Sequence, residues 1–136
     1  MTQIFIVDDH PVMRQVLRSL LEREPDLLVC GEAATAAAAL EQVAQAGPDL
    51  VLIDVSLPGM SGIELARQLQ EHYPDLLLAM FSGHNTASHV DQAFQAGVRG
   101  YILKERANEL PLAIRQIMHG ERFVSPEISE PDQGIG

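Results

Sequence analysis

The sequence predicts an α/β protein built as a doubly wound parallel sheet. Three observations point there. Five short apolar runs occur, at 4–7, 27–30, 50–53, 76–81 and 101–103. Each is followed by a stretch with apolar residues at helical spacing. The runs are apolar throughout rather than alternating, which marks strands buried on both faces by crossover helices. Right-handed crossovers then lay helices on both sides of the sheet. The length, 136 residues, is that of one domain, which buries enough surface to need no disulfide or structural metal.

Taken in order, Ile4–Val7 is the first strand and ends at Asp8-Asp9-His10-Pro11. Pro11 suits a first helical turn, and an acidic residue before it suits a cap. Met13, Val16, Leu17, Leu20 and Leu21 give the first helix, broken at Pro25-Asp26. Leu27–Cys30 is the second strand. Thr35 is placed to cap a helix through Leu40 and Val43, stopped by Gly47-Pro48. The third strand, Leu50–Ile53, ends on Asp54. A turn-rich loop, Leu57–Gly62, leads to a helix marked by Ile63, Ala66 and Leu69. Leu76–Phe81 is the fourth strand and ends at Ser82-Gly83. Val90, Ala93 and Phe94 mark the fourth helix. Tyr101–Leu103 is the fifth strand, ending on Lys104. Asn108 is the expected cap of the last helix, with Pro111 in its first turn. After Gly120 the pattern fades, so residues 1–121 read as the domain and 122–136 as a linker or frayed tail.

Nine basic against nineteen acidic residues leave a formal charge of −10. Such a surface repels a phosphate backbone and an anionic membrane, which argues against nucleic-acid binding by this chain itself. Cys30 is the lone cysteine and sits in an apolar run, so a buried inert thiol is expected. No basic leader or membrane-length apolar stretch occurs, which reads as a cytoplasmic protein.

In a doubly wound sheet, ligands bind at the carboxyl ends of the strands. Here those ends carry Asp8 and Asp9, Asp54, Ser82 and Lys104. Taken singly, each has a plain role as a cap, a turn residue or a solvated charge. Together they place three carboxylates, a hydroxyl and an ammonium at one edge. Clustered carboxylates repel one another, and a hard dication such as Mg2+ relieves this. An Asp can act as a nucleophile in phosphoryl transfer, where positioning and charge neutralisation do most of the work. With Asp54 as acceptor, Mg2+ and Lys104 would balance much of the gathered negative charge.

These residues resemble the receiver domain of a two-component response regulator of the NarL/LuxR type. The resemblance is carried by Val7-Asp8-Asp9-His10-Pro11, Gly31-Glu32-Ala33, Pro48–Asp54, Leu57–Glu64, Phe81-Ser82, Ala96-Gly97 and Gly100–Lys104. It implies a flavodoxin-like (βα)5 fold with a five-stranded parallel sheet in the order 2-1-3-4-5. It implies that Asp54 accepts a phosphoryl group from a sensor histidine kinase. Asp8, Asp9, Asp54 and the backbone carbonyl of Ser56 would hold Mg2+, with Asp8 acting through water. Ser82 and Tyr101 would form the switch, and Lys104 would contact the phosphoryl group. Ser56 and His84 occupy positions that tune hydrolysis of the acyl phosphate. The readout face would span about residues 86–119, with homodimerisation on phosphorylation as one outcome. The resemblance further implies a signalling domain rather than an enzyme. DNA would be reached only through a helix-turn-helix effector absent from this chain, whose linker would start near Arg122–Ile128; the alternative is a receiver acting alone, through a protein–protein signal or a phosphorelay step.

Three departures stand out: Glu105 follows Lys104 where Pro is frequent, Leu57 stands where Met is common, and Gly83 follows the switch Ser where Ala is common. Three rival readings remain. A flavin binder of the same fold wants a Ser/Thr/Gly phosphate loop where Asp8-Asp9-His10-Pro11 stands, and neither GxGxxG nor GxxxxGK[ST] occurs. A Mg2+-dependent phosphatase with an Asp nucleophile carries a second Asp where Ser56 stands. The third is a receiver that binds partners without taking phosphate.

Overall fold

The computed structural model describes residues 1–84 and 86–126. Among these residues six strands form one sheet: β1 (Thr2–Val7), β2 (Leu27–Ala33), β3 (Leu50–Asp54), β4 (Leu77–Ser82), β5 (Gly100–Leu103) and β6 (Phe123–Val124). They alternate with α1 (Pro11–Glu22), α2 (Ala36–Ala46), α3 (Gly62–His72), α4 (Ala87–Gln95) and α5 (Leu110–Met118). A 3-10 turn, Lys104–Glu109, precedes α5. The spatial order is β2-β1-β3-β4-β5-β6, and every pairing is parallel. The expected order 2-1-3-4-5 is therefore observed, with one strand added at the β5 edge.

Alternate residues of each strand feed two cores. Phe5, Val7, Val51, Ile53, Leu78, Met80, Tyr101 and Leu103 face α2, α3 and α4. Ile4, Ile6, Leu50, Leu52, Ala79, Phe81 and Ile102 face α1 and α5. Each fully buried Leu, Ile or Phe side chain contributes about 1.5–3 kcal/mol of transfer free energy. This two-sided burial is why the runs are apolar without alternation. The β1–β2 register shifts between Ile4 and Phe5, leaving Cys30 as the extra residue of a bulge. Gly31 follows because a Cβ there would meet the Phe5 ring at 2.7 Å. Cys30 is half-buried rather than fully buried as expected, and burial pushes its thiol pKa up.

Helix ends follow local chemistry. Thr35 Oγ1 accepts from the Ala38 N–H at 3.1 Å, and Gly47 closes α2 with φ 61°. Ser61 Oγ accepts from the Glu64 N–H at 3.2 Å at the start of α3. Each such cap is worth about 1 kcal/mol. Two cap expectations fail. No acidic side chain caps α1: its N-cap is His10, with Pro11 in the first turn. Asn108 does not cap α5, because the 3-10 turn takes up that residue and the N-cap is Glu109. The added strand β6 lies where the sequence shows only the start of a linker; the linker residues 127–136 lie outside the described residues. Among the described residues no helix is long and apolar enough to cross a membrane, and no peptide bond is cis, Lys104–Glu105 included.

Candidate functional site

The order of the sheet makes β1 and β3 neighbours, while the crossovers after them run to opposite sides. Side chains at their carboxyl ends therefore meet in the crevice between two diverging connections. Asp8 follows β1 and is 1% exposed; Asp54 ends β3 and is 3% exposed. Asp9 is half-buried. One ligand atom from each of Asp8, Asp9, His10 and Asp54 lies within 4.8 Å of the others.

Each carboxylate is held differently. Asp8 Oδ1 accepts from the His10 N–H at 2.8 Å, and the Asp8 carbonyl accepts from the Arg14 guanidinium at 2.6 Å. Arg14 is anchored in turn by Glu32 on β2, at 3.2 Å. Asp54 Oδ1 accepts from the Ser56 N–H at 3.0 Å, while Asp54 Oδ2 accepts from Lys104 Nζ at 3.2 Å. Lys104 Nζ also stands 3.8 Å from Asp8 Oδ2. Burial pushes the Asp54 carboxyl above its usual range; the Ser56 N–H and the Lys104 ammonium oppose the rise, and the Asp8 charge adds to it.

Among the described residues two atoms stay orphaned. Asp8 Oδ2 and Asp9 Oδ1 are buried with no hydrogen-bond partner. His10 Nδ1 lies 3.1 Å from Asp9 Oδ1 but does not meet it in hydrogen-bonding geometry. Buried acceptors without donors are costly, and two of them aimed into a carboxylate cluster fit a hard cation.

Around this pocket stand the remaining predicted residues. Ser82 ends β4, is fully buried, and its Oγ accepts from the His84 N–H at 2.9 Å. Tyr101 is fully buried on β5, and its hydroxyl donates to the His84 carbonyl at 2.8 Å. Burial pushes its phenol pKa up. His84 Nε2 and Ser56 Oγ share a hydrogen bond of 3.1 Å, bridging the loops after β3 and β4. The His84 ring stacks on His89 of α4, with centroids 4.5 Å apart.

The structure thus brings Asp8, Asp9, Asp54, Ser56, Ser82, His84, Tyr101 and Lys104 to one end of the sheet. His10, read from the sequence only as a neighbour of the pocket, is within the cluster. His72 and His119 are not: both sit on or beside exposed helix ends and bond the carbonyl four residues back. A cleft of about 450 Å3, lined by Val43, Pro48, Tyr73, Leu76 and Met118 among others, opens at the opposite end of the strands, away from this chemistry. Sequence reasoning missed Arg14, and it read Gly62 only as a turn residue although a Cβ there would lie 2.1 Å from the Asp54 carbonyl oxygen. The first acts through a backbone carbonyl, and the second through lack of a side chain; neither leaves a pattern in residue type.

Residues 4–115 match the response regulator receiver domain family. The chain belongs to that family. This receiver domain is 38% identical over 125 residues to the DNA-binding transcriptional activator DevR/DosR of Mycobacterium tuberculosis, covering 91% of the chain and 58% of that protein. It is 34% identical over 127 residues to the nitrate/nitrite response regulator protein NarL of Escherichia coli, covering 93% and 59%. The chain thus spans about three fifths of the length of these relatives. A LuxR-family two-component response regulator from Aurantimonas sp. SI85-9A1 superposes with a TM-score of 0.90 at 38% identity, over 94% of this chain and 93% of that one. The receiver domain is of the NarL/LuxR type.

Proposed function

We propose that this receiver domain takes a phosphoryl group onto Asp54 from a sensor histidine kinase, and that the acidic pocket holds Mg2+ while it does so. The observation that carries the reading is the pair of orphaned buried oxygens, Asp8 Oδ2 and Asp9 Oδ1, beside a carboxylate already paired with Lys104. Asp8, Asp9, Asp54 and the Ser56 carbonyl would hold the ion, Asp8 through water. Bound there, Mg2+ supplies charge neutralisation for a phosphoryl group.

The chain's own residues do the rest. A carboxylate oxygen of Asp54 forms the new P–O bond as the donor's bond to phosphorus breaks, a P–N bond in a phosphohistidine. The Ser56 N–H and Lys104 orient that carboxylate. Lys104, which also stands near Asp8, turns to the arriving phosphoryl oxygens. Ser82, whose Oγ accepts from the His84 N–H, donates its own hydroxyl proton to the phosphoryl group, and Tyr101, tied to His84, follows. The phosphoryl group binds one arrangement of this loop better than the other, and that difference shifts the population. Ser56 and His84 bridge the mouth and control the water that hydrolyses the acyl phosphate. The domain works as a cytoplasmic signalling switch rather than as an enzyme turning over a separate substrate. Its output is transcription through a helix-turn-helix effector beyond this chain, with homodimerisation as the intermediate step.

Incubation with Mg2+ and acetyl phosphate, read by intact mass, tests the reading. One added phosphoryl group on wild type and none on Asp54→Ala is expected. No adduct on wild type, with no stabilisation by Mg2+ plus beryllium fluoride, overturns it in favour of a binding-only domain.

A further inference from the structure

Ser125 stands outside the strands and helices and beyond the family match, yet it is 2% exposed. Its N–H donates to the Tyr101 carbonyl at 3.1 Å, continuing the β5–β6 pairing. Its Oγ accepts from the Leu103 N–H at 3.0 Å and lies 3.3 Å from Glu109 Oε1, to which it donates. Glu109 is further paired with Arg106. Leu103 and Glu109 bracket the 3-10 turn Lys104–Glu109. One hydroxyl thus spans both ends of the turn that begins with Lys104. The segment before it is anchored as well: the Phe123 N–H donates to the Arg99 carbonyl at 3.1 Å, and the Arg122 guanidinium sits 4.8 Å over the Phe94 ring of α4.

We infer that Ser125 is a positioning residue for Lys104, and that through it the segment following α5 is coupled to the phosphoryl site. This rests on the proposed phosphoryl reading. A long flexible ammonium side chain reaches Asp54 reproducibly only if its backbone is fixed. Bonds within the turn, such as Arg106 to Glu109, shape it, and the Ser125 hydroxyl ties its two ends together from outside. The coupling is reciprocal: whatever strains Lys104 toward a phosphoryl group works on the Leu103–Ser125–Glu109 clasp, and loss of the clasp loosens Lys104. The outer edge of β5 is thereby a sensor of the switch, held by the stretch of chain that continues toward residue 127.

The test uses the full chain, Mg2+ and acetyl phosphate, with the rate of adduct formation followed by intact mass. Ser125→Ala is expected to lower the maximal rate about tenfold. Val124→Ala, which thins the same strand but leaves the hydroxyl in place, is expected to react at the wild-type rate. Equal rates for wild type and Ser125→Ala, or equal slowing by Val124→Ala, overturn the inference while leaving the receiver reading intact. Should Ser125→Ala lack a cooperative melt, wild type alone decides. Beryllium fluoride with Mg2+ is expected to change amide hydrogen exchange at Leu103 and at Phe123–Ser125, and identical exchange overturns the coupling. No adduct on wild type overturns both readings together.

Discussion

Gly62 packs directly under the backbone of Asp54. A Cβ at residue 62 would lie 2.1 Å from the Asp54 carbonyl oxygen and 2.9 Å from Val55 Cα. The Gly62 N–H also donates to the Val55 carbonyl at 3.0 Å, closing the loop between β3 and α3. The obstruction is backbone, which cannot rotate away. Gly62→Ala is therefore expected to cost about 3 kcal/mol, the upper end of overpacking. A fall in the urea midpoint, together with slower adduct formation in the folded fraction, is the expected record; an unchanged midpoint would show that the loop shifts freely.

Lys104 is the cation bonded to Asp54 Oδ2. Lys104→Ala removes a side-chain donor from that carboxylate and the expected donor to the phosphoryl group. The rate of acetyl phosphate labelling is expected to fall about 100-fold, as for loss of one charge-stabilising donor. Labelling at the wild-type rate would remove Lys104 from the mechanism.

The orphaned Asp9 Oδ1 gives a separate reading of the ion. Mg2+ at about 100 times its Kd is expected to stabilise wild type by about 2.7 kcal/mol. Asp9→Ala should lose that gain without losing its fold. A Tm that rises equally in both proteins would place the ion elsewhere.

The raised Asp54 carboxyl has a sign that can be worked out. Folded Asp54 holds its proton at a higher pH than the ordinary 3.8, so the folded chain binds more protons than the unfolded one in between. Stability from this group is present below 3.8 and is lost as pH rises through the raised value. Without divalent ions, Asp54→Asn is expected to melt above wild type at pH 7, with the gap closing as pH falls toward 3.8. Melting curves over that range check it; a gap that stays constant would mean that burial of the charge is not its source.

His84 shares a hydrogen bond with Ser56 over the mouth of the pocket. His84→Ala uncovers it to water. The half-life of the phosphorylated chain is expected to shorten about threefold to tenfold, worth about 0.7–1.4 kcal/mol of barrier. An unchanged half-life would leave His84 as a plain loop residue.

Much of the site was legible because of where apolar runs stop. Asp8, Asp54, Ser82 and Lys104 each stand at the end of a visible strand, and the topology does the gathering. The missed features share a cause: they work through backbone. Two residues, Phe123–Val124, show no period, so β6 could not be read. Ser125 acts on the Leu103 amide, Arg14 on the Asp8 carbonyl, and Gly62 through the side chain it lacks. Asn108 was misplaced as a cap because the 3-10 turn has no apolar signature of its own.

The pairing of Lys104 with Asp54, fifty residues apart, also bears on how the domain is born. A ribosome delivers β1, β2 and β3 first, so the carboxylates of Asp8, Asp9 and Asp54 can gather long before residue 104 is made. Through that interval the nascent sheet holds an acidic knot with no ammonium to offset it, and an open strand edge that invites wrong pairing. Translation speed across residues 55–103 therefore sets how long the half-built domain is exposed to chaperones and to aggregation.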